Sequence, residues 1–141
     1  MDDTLNDSRL SSSYWALRAT YVIVPLLSGL DKFTNLLAYW PRYLSPAAAR
    51  LIPFSPSTFM RIVGVVEIVA ALIVLSKYAR IGAYIVMAWL ICVALNLVAV
   101  RMYDIAVRDL AMAVGAFALA RLEEVRAGST VHARRVTHAH A

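Results

Sequence analysis

The chain has 141 residues, 61% of them hydrophobic and 16% charged, with a formal net charge of +5. A soluble domain carries about a quarter charged residues, so this composition places the chain in the membrane class, and the length allows one domain. The positive balance forms no basic patch interleaved with aromatics, which excludes a nucleic-acid partner; the Arg residues flank apolar stretches instead.

Residues 1–13 read as a polar, acidic, frayed tail with Asp2, Asp3 and Asp7. No basic segment precedes a cleavable apolar core there, so no signal peptide is read and the first span acts as its own insertion signal. That span covers residues 14–37. Tyr14 and Trp15 suit a membrane interface, Arg18 can snorkel back to headgroups, and Pro25 should kink the helix or free a carbonyl. Asp31 and Lys32 near its far end are too charged to face lipid.

The longest connection covers residues 38–57 and holds Tyr39, Trp40, Tyr43 and Phe54. Ser45 before Pro46 is a helix start and Pro53 a stop, so a short interfacial helix is expected over residues 46–52. It reads either as a packed loop or as a lid over the bundle mouth.

The second span covers residues 58–76, with Arg61 near its start and Glu67 near its middle. Gly64 permits close approach of another helix. Lys77 and Arg80 bracket a tight turn into the third span, residues 81–100, which carries no charge and only Asn96 as a strongly polar residue. A helix rises about 1.5 Å per residue and a bilayer core is about 30 Å thick, so this third stretch is the clearest crossing. It holds the single cysteine, Cys92, whose mid-span position predicts a buried, inert thiol; one cysteine excludes a disulfide and a CxxC pair. The fourth span covers residues 104–122 and opens on Asp104, Arg108 and Asp109. Residues 123–141 read as a disordered basic tail that holds His132, His138 and His140, so no span offers a haem or copper histidine.

The expected fold is therefore all-α: a transmembrane four-helix bundle over residues 14–122, with a short interfacial helix between spans one and two. Arg9, Arg18, Lys77, Arg80, Arg121, Arg126, Arg134 and Arg135 fall on the side of the termini, against Lys32, Arg42, Arg50, Arg61, Arg101 and Arg108 on the other. Eight against six places both termini in the cytoplasm.

Alternating crossings bring Asp31, Lys32, Arg61, Asn96, Arg101, Asp104, Arg108 and Asp109 to one end, with Glu67 somewhat deeper. The acids Asp31, Glu67, Asp104 and Asp109 balance the bases Lys32, Arg61, Arg101 and Arg108. Charges in a membrane face the bundle interior and pair. The spacing predicts a ladder from Arg101 through Asp104 to Arg108, whereas Glu67 has no partner on its own helix and must find one across the bundle or be protonated. Asn96 adds neutral donors and acceptors, and Phe33, Phe59, Trp89 and Tyr103 supply aromatic walls. This set reads as a polar pocket for a small molecule, as a proton or ion path, or as ion pairs that only fix helix register.

GLDKF, then RIVGVVEIVAAL, then WLICVALNLV followed by YDIAVRDLAMAVGAFALARL, with an Arg early in span one, resemble the DoxX-like family of small four-helix bacterial membrane proteins. The resemblance covers residues 14–122. It implies a four-helix bundle and marks Gly29, Lys32, Gly64 and Glu67 as family positions, with Asn96, Asp104, Arg108 and Asp109 as those of one branch. The family takes its name from a thiosulfate:quinone oxidoreductase system, and its relatives are associated with redox complexes. This chain lacks a cysteine pair, which argues against a thiol-handling role of its own. The resemblance implies an accessory or quinone-binding subunit in the bacterial inner membrane, with no intrinsic cofactor, and with redox-complex subunits or further copies of the chain as partners. The alternatives are a small proton-coupled transporter and a structural scaffold.

Overall fold

The structure is a computed structural model that describes residues 8–139. It is helical, with no strand among the described residues: α1 (Ser8–Thr34), a 3-10 turn (Trp40–Tyr43), α2 (Pro46–Leu51), α3 (Pro56–Leu75), α4 (Ala79–Ala99) and α5 (Tyr103–Ala139). The long helices pack in a ring, α1 on α3, α3 on α4, α4 on α5 and α5 on α1. Two of them, α3 and α4, are long and apolar enough to cross a membrane by length and composition.

The core is built from small residues. Ala70, Ala71, Ala83, Ala94, Ala106, Ala113, Ala116 and Ala120 are buried, with Leu119 and Val74 the largest fully enclosed side chains. The large apolar residues point outward on all of the long helices: Ile23 and Leu27 on α1, Val69 and Leu72 on α3, Ile91 and Leu95 on α4, Val107 and Val114 on α5. A water-soluble bundle has the opposite distribution.

The helix starts follow from sequence. Ser45 accepts from Ala48 N–H ahead of Pro46, and Ser55 accepts from Thr58 N–H ahead of Pro56. Each Ser-Pro pair supplies an N-cap and a preset first turn. The expected short helix is thus present as α2. The second Ser-Pro pair starts α3 two residues before the expected residue 58.

Other boundaries differ from expectation. Helix α1 starts at Ser8, inside the stretch expected as a tail, and stops at Thr34 because Asn35 turns left-handed with φ 53°. Arg101, with φ 60°, makes the corresponding turn after α4. Helix α5 runs on to Ala139 through the expected disordered tail. The residues after Arg121 contain no Pro, and the helix continues through Gly128 and Ser129, which are weak helix formers but not breakers as Pro would be. Of the termini, residues 1–7 with their three aspartates, and His140, lie outside the described residues. Cys92 is exposed on the outside of α4, not buried: the inner face there belongs to Ala94 and Leu97.

Candidate functional site

Gly29 and Gly64 determine the geometry of the site. A Cβ on Gly29 would lie 2.7 Å from the Gly64 carbonyl oxygen, and one on Gly64 would lie 2.6 Å from the Gly29 oxygen. Only two glycines allow the backbones of α1 and α3 to touch in this way. One turn beyond each glycine stand Lys32 and Glu67, so the same approach brings them together. Lys32 Nζ lies 2.7 Å from Glu67 Oε2, with the two side chains only 4% and 13% exposed. Ser28 Oγ donates to the same oxygen at 3.0 Å. The partner that Glu67 lacked on its own helix is therefore across the bundle.

Around this pair the polar groups form two further layers. The Lys32 ammonium sits 3.6 Å from the centre of the Trp40 ring, a cation–π contact from the connection after α1. Trp40 Nε1 in turn donates to Asp31 Oδ2 at 2.7 Å. The Asp31 carboxylate also accepts from the backbone N–H of Leu36, Leu37 and Ala38 and from Thr34 Oγ1. Asp31 is thus a cap for the chain that leaves α1 and is fully engaged within the fold. Asp109 is buried on α5, 3.5 Å from Arg108 Nε and within electrostatic reach of Lys32.

The remaining predicted residues do not join this group. Arg61 is exposed and forms no ion pair with a described residue, because its position on α3 faces outward. Asp104 is exposed in the first turn of α5, where its charge complements the helix dipole, and the expected ladder to Arg101 and Arg108 does not form. Arg101 lies in the turn before α5, off the helix that the i,i+3 spacing requires. Arg108 is exposed apart from its contact with Asp109. Asn96 accepts from Ser45 N–H at 3.0 Å and donates to the Tyr43 carbonyl at 2.6 Å, so it ties the connection to α4 instead of lining a pocket. Of the aromatics, Phe33 and Tyr103 are exposed, and Trp89 reaches the interior.

Beneath Glu67, toward the middle of the bundle, lies a cavity of about 60 Å³. Its lining includes Tyr21, Ser28, Glu67, Trp89 and Met112. Tyr21 fills the space over Gly115 and donates its hydroxyl to the Met112 carbonyl. Trp89 Nε1 is buried and has no hydrogen-bond partner among the described residues. No described group of His, Cys, Asp and Glu could hold a metal ion.

The opposite end carries a second network that the sequence reading missed. Arg18 does not snorkel: it donates to the carbonyls of Val74, Leu75 and Ser76, which are free at the end of α3. It also lies 3.4 Å from Glu123, to which the Tyr14 hydroxyl donates at 2.6 Å. Tyr84 donates to Glu124 at 2.9 Å, and Arg126 stacks 4.2 Å from the Tyr14 ring centre. The missed signal was an Arg one turn after an aromatic, opposite a Glu-Glu pair assigned to the tail. Ser28, likewise missed, stands one turn before Lys32 on the same face.

Comparison of the chain with models of protein families, with curated proteins and with solved structures returned no match.

Proposed function

We propose that the chain is a four-span integral membrane protein of DoxX-like type. In this reading it serves a redox-linked assembly of the bacterial inner membrane as a small-molecule-binding subunit, with a quinone as the leading ligand class. The observation that carries the proposal is the Lys32–Glu67 pair, enclosed between α1 and α3, with Glu67 bordering a pocket between the helices. A buried ion pair is a poor device for stability, since hydrophobic replacement of such pairs is often neutral or better. Its position beside open space favours a binding role.

Four crossings are supported by the outward apolar residues on α1 and α5 as well as on α3 and α4. The charges that lower the hydropathy of α1 and α5 are partly turned inward, as with Lys32 and Asp109. Lys77, Arg80, Arg121 and Arg126 collect at the end that also holds Arg18, which supports a cytoplasmic placement of both termini. The short α2 has no buried residue and exposes Leu51, which suits a segment lying at the lipid interface.

A scaffold reading has its own support: Asp31 and Asn96 use their polar atoms on the connection between α1 and α3. The two readings separate on purification in mild detergent followed by mass spectrometry of what is retained. The proposal predicts a quinone or similar small molecule on the wild type and its loss from Glu67→Gln at unchanged insertion. Identical small-molecule content in both proteins, or none in either, supports the scaffold.

A further inference from the structure

The sequence sets four acids against four bases at the end of the bundle that holds the connection between α1 and α3. The fold breaks that balance. Asp31, Glu67 and Asp109 turn inward, and of the bases only Lys32 goes with them. Arg61 and Arg101 stay exposed, and the connection adds Arg42 and Arg50, which are exposed as well. None of these four forms an ion pair with a described residue. Among the described residues of this end, Asp104 alone is an exposed acid. At the opposite end Glu123 and Glu124 take up Arg18 and Arg121.

The same connection exposes apolar side chains. Leu36, Leu37 and Leu51 are 84%, 75% and 85% exposed, more than any other large apolar residue described. Their setting is fixed. The N–H groups of Leu36 and Leu37 donate to Asp31, and Asn96 holds the stretch at Tyr43 and Ser45. An anchored stretch that presents leucines and arginines together fits the boundary of acyl chains and headgroups. There the apolar side chains enter the chains and the guanidinium groups stay level with the phosphates. The leucines follow Leu30 and Phe33 of α1, which are exposed on the outside of the bundle, so they belong in the acyl phase and not against a soluble acidic protein.

We infer that the connection between α1 and α3 is a docking surface for anionic phospholipids, with Arg42, Arg50, Arg61 and Arg101 facing the phosphodiester groups and Leu36, Leu37 and Leu51 among the acyl chains. A guanidinium group suits this task because its planar fork donates two parallel N–H bonds to phosphate oxygens. The inference rests on the membrane-spanning part of the function proposed above and not on its small-molecule site. It assigns Asp31 and Asn96 the task of holding the docking surface in shape.

The test uses the full chain in nanodiscs of phosphatidylglycerol and phosphatidylcholine, in equal parts and with the same acyl chains. Native mass spectrometry counts the lipids that stay bound. A basic residue beside an anionic surface is worth about fivefold in affinity. Phosphatidylglycerol should be enriched on the wild type, and the enrichment should fall about tenfold or more in Arg42→Gln with Arg50→Gln. Lys77→Gln with Arg80→Gln removes two exposed cations from the opposite end and should leave most of it. Enrichment on the wild type should also weaken as salt is raised. Where the Arg42, Arg50 variant fails to fold, that salt dependence decides, and an enrichment constant with salt overturns the inference. No enrichment on the wild type, or an equal fall in the two double variants, overturns it and leaves the four crossings standing. Suppression by inorganic phosphate but not by chloride at equal ionic strength would assign the arginines to a free anion and overturn the lipid source. A chain that stays folded and dispersed without lipid or detergent overturns both the inference and the membrane reading.

Discussion

Asp31 and Glu67 are both acids in apolar surroundings, yet they do different things. Asp31 holds three consecutive backbone N–H groups and the Trp40 indole, so it closes the end of α1 and orients the ring on which Lys32 rests. Removing it as Asp31→Ala takes away the acceptor shared by those donors and should lower the thermal unfolding midpoint. It should also make the connection up to Ser45 sensitive to protease, whereas Asn96→Ala should free only the far part of that connection around Tyr43 and Ser45. Limited proteolysis of the two variants checks the division. Glu67 instead has one oxygen engaged twice and stands at the edge of a cavity, the arrangement of a residue available to something else.

At the scale of elements, two devices set helix against helix. The first is the reciprocal glycine contact of α1 and α3. In an ordinary helix Gly→Ala stabilises by about 1 kcal/mol. Here Gly64→Ala would put a methyl 2.6 Å from the Gly29 carbonyl, so the sign should reverse and the Lys32–Glu67 distance should grow. Thermal unfolding of Gly64→Ala beside Gly128→Ala, where a Cβ meets nothing, measures that reversal. The second device is Arg18, whose guanidinium reaches three carbonyls at the end of α3 and Glu123 on α5. Arg18→Lys keeps the charge but not the planar fork, so it should recover little of the stability lost in Arg18→Ala. Gly64, the Ser45-Pro46 start and the centres of the long helices were legible in sequence because each is a local signal, whereas the Ser55-Pro56 start was passed over. The destination of Arg18 was not: snorkelling and capping a neighbouring helix demand the same residue at the same place, and only the packing of α1 on α3 separates them. Arg61 and Asp104 were assigned inward on the rule that charges pair, but both sit near helix starts, where outward exposure is available to them.

For the whole molecule, the distribution of side-chain size matters more than total hydrophobicity. Alanines fill the interior and branched apolar residues cover the outside, which is why the chain should be stable only with lipid or detergent around it. Cys92 gives a direct reading of that surface. It is exposed on α4, yet with four crossings it faces acyl chains, so a membrane-impermeant maleimide should leave it unlabelled in sealed vesicles and label it once detergent and denaturant are added. Cysteines placed at Ser57 and at Lys77, in a Cys92→Ser background, should label from opposite sides of the membrane. Labelling from one side would remove a crossing.

The account as a whole depends on Lys32 and Glu67 being each other's partner inside the bundle. A double-mutant cycle on unfolding in lipid-detergent micelles addresses this directly, with Lys32→Met, Glu67→Met and the double variant. Breaking a buried pair costs about 3–5 kcal/mol because one charge is left alone, whereas replacing both is often neutral. The predicted result is two strongly destabilised single variants and a double variant close to the wild type. Two small, additive effects would mean that the two charges do not meet, and would contradict the account.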